Sequence, residues 1–309
     1  MYKYFLRRIL LMIPVLLGVS FIIYGLMVMA PGDPGSAILG ASATPESILE
    51  FNEKVGYYDP FLVRYGRFLL DLVRGDFGTS YLTKTPVGAE IAKRMATTLK
   101  IAGCTMIAAV VVGVPLGVLS AVKQYSILDT VSRVLSITLA SVPAFWFGLM
   151  LIYVFSLKLG WLPSFGATTW RHFVLPTITL GVPYAARQLR MTRSCMLETI
   201  RQEYVRTSRA KGAGERAVIW RHAFKNALLP IITMIGVQFG VLLGGAILTE
   251  SIFSMPGLGT YLINSIRAKD NPAVLGTAIT LALMFCLVML VVDLCYSAID
   301  PRVRARFSK

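Results

Sequence analysis

The chain has 309 residues, 55% of them hydrophobic and only 15% charged, with a formal net charge of +15. Soluble domains carry roughly 25% charged residues and disordered chains need low hydrophobicity, so an ordinary soluble enzyme and a disordered chain are both excluded. The mean hydropathy of +0.66 leaves one question, whether the apolar residues are scattered or gathered into membrane-length runs.

They are gathered. Residues 9–30 form a charge-free run preceded by Lys3, Arg7 and Arg8. The run exceeds the roughly 7–15 residues of a signal-peptide core, and Pro31 follows directly, so it reads as a retained first transmembrane helix. Pro31-Gly32-Asp33-Pro34 stops it. Residues 31–100 are the one substantial segment expected outside the membrane, and they read as helical. Thr44 as N-cap, Pro45 at the first helical position and Glu46 in the first turn predict a helix over 44–55. Phe61, Tyr65, Phe68, Leu69 and Leu72 predict an amphipathic helix over 61–73. After the turn Gly75-Asp76-Phe77-Gly78, a helix over 87–100 leads into a second span at 101–122. A third span is expected at 134–157. Trp161 and Trp170 bracket a turn-rich loop suited to the membrane interface. Residues 173–186 are short for a span and hold Pro176 and Pro183. Long runs return at 227–249 and 273–292, the last resuming after Asp293 to Ile299. Each long run meets the roughly 20 residues that a membrane crossing needs.

Charge placement decides the short run. With six spans and the N-terminus inside, most of the 31 Lys and Arg residues fall on the inner side, and the outer segments are nearly balanced. Short loops rich in Lys and Arg stay cytoplasmic. Without a span at 173–186, the most basic stretch, 187–225, would lie outside. The run is therefore kept, with Arg187, Arg190 and His172 at its ends, where long side chains reach the interface. The expected fold is an all-α integral membrane protein with six transmembrane helices and both termini cytoplasmic. Residues 1–30 are the first helix and 31–100 a small helical outside region. Residues 101–300 form a five-helix core with an inner loop over 187–226, and 301–309 a cytoplasmic tail. The positive charge serves topology. No basic soluble face for nucleic acid is visible, and membrane lipid is the natural secondary partner. Cys104, Cys195, Cys286 and Cys295 have neither a disulfide framework nor zinc-ligand spacing.

The inner loop is patterned. Ile200, Tyr204, Val205 and Ser208 recur on one face of a short amphipathic helix, with Arg201, Glu203, Arg206 and Arg209 largely elsewhere. Lys211 falls in its last turn and Gly212 at the position just past the end. A second helix is expected after Gly214, with Glu215 in its first turn and Val218, Ile219, His222 and Ala223 on one side. Two short helices meeting at a glycine corner make a stiff lever rather than a tether. The outer segment Phe253-Ser254-Met255-Pro256-Gly257-Leu258-Gly259 is apolar and should tuck into protein, as a cap over a pathway or as a plain turn. Gln238 is the amide inside the fifth span. Asp293 is an intramembrane carboxylate, a functional candidate by default, and pairing with an arginine of the basic loop is preferred over a proton relay. Gly236, Gly240, Gly244 and Gly245 allow close helix approach.

The run Glu203-Tyr204-Val205, then Gly212, then Leu229-Pro230 resembles the Glu-Ala-Ala loop of ATP-binding-cassette importer permeases. The sharper resemblance is to the B-type permease of dipeptide, oligopeptide and nickel importers, and it covers nearly the whole chain. It rests on Ala30-Pro31-Gly32-Asp33-Pro34, on Gly75-Asp76-Phe77-Gly78-Thr79-Ser80, and on Pro86-Val87 with Glu90-Ile91. Arg206-Thr207-Ser208-Arg209-Ala210-Lys211-Gly212 follows, then Glu250-Ser251-Ile252-Phe253 with Pro256-Gly257-Leu258-Gly259, then Asp293, Tyr296 and Asp300-Pro301-Arg302. Tyr204 and Val205 stand where the loop has two alanines, and Asp270-Asn271-Pro272-Ala273 where the branch often has Asp-Tyr-Pro-Val.

The resemblance implies a type I importer permease fold with an extra N-terminal helix. It implies coupling to the ATPase through Glu203, Tyr204, Val205, Arg206, Ser208, Arg209, Ala210, Gly212 and Ala213. Gln238, Glu250, Phe253, Met255, Pro256 and Asp293 are the path or gate candidates. The implied partners are a second homologous permease, two ATPase subunits and an external substrate-binding protein. The chain lacks a G-x-x-x-x-G-K-[ST] loop, so ATP and Mg are expected in partner subunits, with no cofactor or metal here and no enzymatic activity of its own. Peptides are the expected substrates, with nickel or a metal chelate, glutathione and heme as alternatives. An ion-gradient transporter would show midplane charges and an inverted repeat, and only Asp293 answers that description.

Overall fold

The computed structural model describes residues 2–40 and 42–299. The expected tail 301–309 and the motif residues Asp300, Pro301 and Arg302 lie outside the described residues. So do the side chains of Lys3 and Tyr296 and the surroundings of Gly245. Among the described residues the structure is helical, with an isolated bridge between Thr79 and Pro86 in place of any strand. Two compact units divide it, and each draws on separated parts of the chain.

The first unit comprises residues 2–98 and 256–286. Helix α1 (Tyr2–Met29) carries Pro14. Helix α2 (Pro34–Leu39) is capped by Asp33, whose carboxylate accepts the Ser36 N–H at 2.8 Å. Helix α3 (Pro45–Lys54) starts at the Thr44 cap that its sequence signals, and α4 (Phe61–Val73) follows. Tyr24 of α1 meets Phe61 and Tyr65 of α4 edge-on at 5.5 Å. The first part of α5 (Val87–Val122), α12 (Leu258–Arg267) and the first part of α13 (Asn271–Ile299) complete the unit. Asp270, 1% exposed, pins the 79–86 turn to the start of α13. Its carboxylate accepts the Ser80 hydroxyl, the Tyr81 N–H at 3.0 Å and the Leu82 N–H at 3.3 Å. Burial, with the Asp270 charge adding to it, pushes the Tyr81 phenol up to about 12.

The second unit comprises residues 99–255 and 287–299. After α5 come α6 (Ile127–Ser141) and α7 (Ala144–Leu151), then a π-helical turn over Ile152–Lys158. A 3-10 turn over Trp170–Phe173 leads to α8 (Val174–Ile200), the hub on which α6, α7 and α11 pack. The inner loop holds α9 (Glu203–Ala210) and α10 (Glu215–Ala217). The latter runs through a π segment, Val218–Ala223, into α11 (Phe224–Ile252).

Among the described residues, four helical segments are long and apolar enough to cross a membrane: Phe5–Met29, Val87–Val122, Glu215–Gly244 and Asn271–Cys295. The straight third span expected at 134–157 is instead two helices, Ile127–Ser141 and Ala144–Lys158, bent by 95°. Pro143 causes the break. It has no N–H, and it drives Val142 to an extended ψ of 127°. The segment of the fourth expected span, 173–186, falls at the end of the 3-10 turn and in the first half of α8, which is not among the helices long and apolar enough to cross.

Candidate functional site

The inner loop differs from its expected form at both ends. Ile200 closes α8, and the break at Arg201 and Gln202 gives α9 a new register. The expected face of Ile200, Tyr204, Val205 and Ser208 is therefore divided. Val205 is fully buried, whereas Tyr204 is 40% exposed. The expected second short helix is the N-terminal end of the long helix that continues as α11, so the loop is built directly onto a membrane-length element.

Val205 seats α9 in an apolar cluster with Val118, Met196, Val218, Ala223 and Ile231. Burying a Val or Met side chain contributes roughly 1.5–3 kcal/mol, enough to hold so short a helix that would not form alone. The corner is a Schellman end. The Ala213 N–H bonds the Ser208 carbonyl at 3.2 Å and the Gly212 N–H bonds the Arg209 carbonyl at 2.9 Å. Gly212 has φ +81°, and a Cβ placed there would meet nothing within 4 Å. The glycine is required by backbone conformation, not by space.

A second fastening was not anticipated. The Arg209 guanidinium donates to both Glu215 oxygens, at 3.0 and 2.6 Å, bridging α9 to α10 across the corner. This pairing holds the Glu215 carboxyl below its ordinary range. No helical spacing rule joins residues across a turn, so sequence periodicity carried no sign of it. What remains outward is a charged and aromatic surface. Glu203 and Arg206 side chains are 90% and 72% exposed, and Trp220 shows 45%.

At the base of the loop sits Asp129, fully buried. It accepts from Arg193 of α8 at 2.7 and 2.9 Å, from the Ser120 hydroxyl at 2.6 Å and from the Tyr125 N–H at 3.0 Å.

The path candidates fall into separate places. Glu250, Phe253 and Met255 are buried. The Phe253 carbonyl accepts the Gly166 N–H at 3.1 Å and the Met255 N–H bonds the Glu250 carbonyl at 2.8 Å, so this segment tucks into protein as a tight turn. Pro256 is exposed, and Asp293 is half-buried on α13. Gln238, 5% exposed, lines an open cavity of about 500 Å³ between α8 and α11. None of the other five candidates lines that cavity.

Long apolar helices bearing a braced elbow are the architecture of a membrane permease subunit. The chain belongs to the family "Binding-protein-dependent transport system inner membrane component", matched over residues 113–305 and preceded by the associated N-terminal family, "Binding-prot-dependent transport system membrane comp, N-term", over residues 1–102. It is a multi-pass inner-membrane protein of the ATP-binding-cassette importer class. It is 41% identical to the "Dipeptide transport system permease protein DppB" of Alkalihalophilus pseudofirmus, covering 98% of this chain and 100% of that one. It is 39% identical to the "Glutathione transport system permease protein GsiC" of Escherichia coli (strain K12), covering 98% and 99%. The fold is similar to that of an inward-facing MetNI methionine ABC transporter chain, with TM-score 0.57 and 22% identity over 68% of this chain and 96% of that one. An amino acid ABC transporter chain has TM-score 0.54 and 16% identity over 67% and 92%.

Proposed function

We infer that the chain is one of two related permeases that form the translocation path of an ATP-driven peptide importer. The observation that carries this is the elbow, 203–217, braced by the Gly212 corner and the Arg209–Glu215 pair and continuous with a membrane-length helix. A rigid elbow with an exposed charged and aromatic face is what a separate motor needs to grip. The assembly this reading requires has a second homologous permease, two ATPase subunits holding ATP and Mg, and an external binding protein that delivers substrate. This chain holds no cofactor and hydrolyses nothing. In this reading the chain has six spans, α8 included, with both termini and the elbow in the cytoplasm. Glu203, Tyr204, Val205, Arg206, Ser208, Arg209, Ala210, Gly212 and Ala213 transmit the motor's movement. Nucleotide must bind the closed and open ATPase states with different affinity for that movement to do work. Gln238, Glu250, Phe253, Met255, Pro256 and Asp293 contribute to the path or its gates.

Among peptides, glutathione is a second reading, favoured by the 39% identity to a glutathione permease. Reconstituted vesicles carrying the whole assembly should take up a labelled dipeptide only with ATP, and vanadate should stop uptake. Uptake driven by an ion gradient without ATP would overturn the reading, and competition by glutathione decides between the two substrates. Topology is tested with a single cysteine at Arg216, because the native Cys195 is only 8% exposed. A membrane-impermeant thiol reagent should label it in inside-out vesicles and not in intact cells.

A further inference from the structure

The cavity beside Gln238 has an uncompensated charge. Arg187 and Arg190 line it from α8, Gln238 and Met234 from α11, and no acidic residue is among its lining. Positions 187, 190 and 194 follow the three- and four-residue spacing of one helix face and all border this opening, and Arg190 also borders the neighbouring cavity beside Arg133. Arg187 lies over the Tyr184 ring at 5.2 Å, which fixes its direction. Arg190 has no hydrogen bond or ion pair among the described residues. Opposite them, the buried Gln238 amide has no partner for either its nitrogen or its oxygen. Buried polar groups are normally paired, because an unmade hydrogen bond costs the full desolvation of the group. A volume of about 500 Å³ lies within the roughly 300–1,000 Å³ of small-ligand sites.

These features share one complement. Two guanidiniums take a carboxylate, an amide with a free donor and a free acceptor takes a peptide unit, and Met234 with Tyr184 takes an apolar side chain. We propose that this cavity is a station for the C-terminal carboxylate of a peptide in transit, read by Arg187 and Arg190 with Gln238 holding the adjoining peptide bond. The station rests on the peptide-importer reading and adds a recognition step within the membrane subunit itself. An anionic lipid headgroup would satisfy the arginines but would leave the buried amide without a matching group.

The test uses the assembled transporter in nanodiscs without its external binding protein, probed by saturation-transfer NMR with trialanine and with trialanine amide. The wild type should bind the free acid about tenfold more tightly, the scale of a charge-assisted hydrogen bond. The Arg187→Gln/Arg190→Gln variant should lose that preference, and Gln238→Leu should weaken both peptides alike. Arg190→Gln alone, at an exposed position, should halve the preference or more and serves if the double variant fails to assemble. Equal binding of acid and amide by the wild type would overturn the station. So would loss of co-purified phosphatidylglycerol in the double variant with trialanine binding unchanged, which would assign the cavity to lipid. ATP-driven uptake of trialanine by the wild type, with no acid preference in the nanodisc assay, would sink the station and leave import standing. Absence of any peptide uptake would sink import and the station together.

Discussion

Asp129 and Arg193 meet through two hydrogen bonds of 2.7 and 2.9 Å although 64 positions separate them, with the carboxylate wholly withdrawn from solvent. The pair ties the start of α6 to the stretch of α8 that leads into the elbow. A buried charge left without its partner costs more than the pair itself contributes. Arg193→Met should therefore destabilise the protein by about 3 kcal/mol, and the Asp129→Leu/Arg193→Met double variant should recover much of that loss. Thermal unfolding in detergent distinguishes the two. Non-recovery would mean that the pair is not an isolated electrostatic unit.

Gly212 constrains the elbow through its φ of +81° alone, since the space around it is open. Placing an L side chain in left-handed backbone costs roughly 1–2 kcal/mol, least for asparagine and most for β-branched residues. Gly212→Asn should transport nearly as well as wild type. Gly212→Val should insert in the membrane but hydrolyse ATP in the assembled transporter with little uptake. Equal uptake by the two variants would count against a stiff elbow.

The Arg209–Glu215 pair is exposed, 39% and 57% by side chain, and exposed pairs contribute about 0–1 kcal/mol. Its value lies in geometry. Glu215→Arg should lower coupling between hydrolysis and uptake while changing the melting temperature little, and the charge swap Arg209→Glu/Glu215→Arg should restore coupling. A swap that fails to restore it would assign the loss to a contact with the motor instead.

Local signals were readable where one residue type decides one backbone state. Thr44-Pro45-Glu46 started α3 where expected, and Gly212 ended α9 where expected. Readings failed where the outcome depends on distant neighbours. Pro143 announces a kink, but whether it gives a shallow bend or 95° depends on what neighbouring helices offer the freed carbonyls. The periodicity through Ile200 and Tyr204 was real, yet the chain breaks helix at Arg201 and turns Tyr204 outward. The sequence singles out Asp293 as an intramembrane acid, whereas the buried Asp129–Arg193 pair has no signal there, because Asp129 reads as a loop residue and burial is invisible in sequence. The inner elbow and its Gly212 corner were thus legible in the pattern, and the Arg209–Glu215 bridge only in the geometry.

Glycines on α5 carry a further signal that composition alone does not reveal. Gly113 and Gly117 lie four apart on the face that α8 approaches, the small-residue spacing that lets membrane helices come close. A Cβ at Gly113 would stand 2.6 Å from the Ala185 carbonyl oxygen, and one at Gly117 would stand 2.7 Å from that of Leu189. These are backbone atoms that cannot swing aside, so the helices themselves would have to separate. Gly103 on the same helix has nothing within 4 Å of the corresponding point. Gly113→Ala and Gly117→Ala should therefore each cost about 1–3 kcal/mol, as overpacking does. Gly103→Ala should be neutral or stabilising by up to about 1 kcal/mol, because alanine is the better helix former. Melting temperatures of the three variants in one detergent decide the matter. Equal tolerance at all three positions would show that α5 and α8 are not in backbone contact.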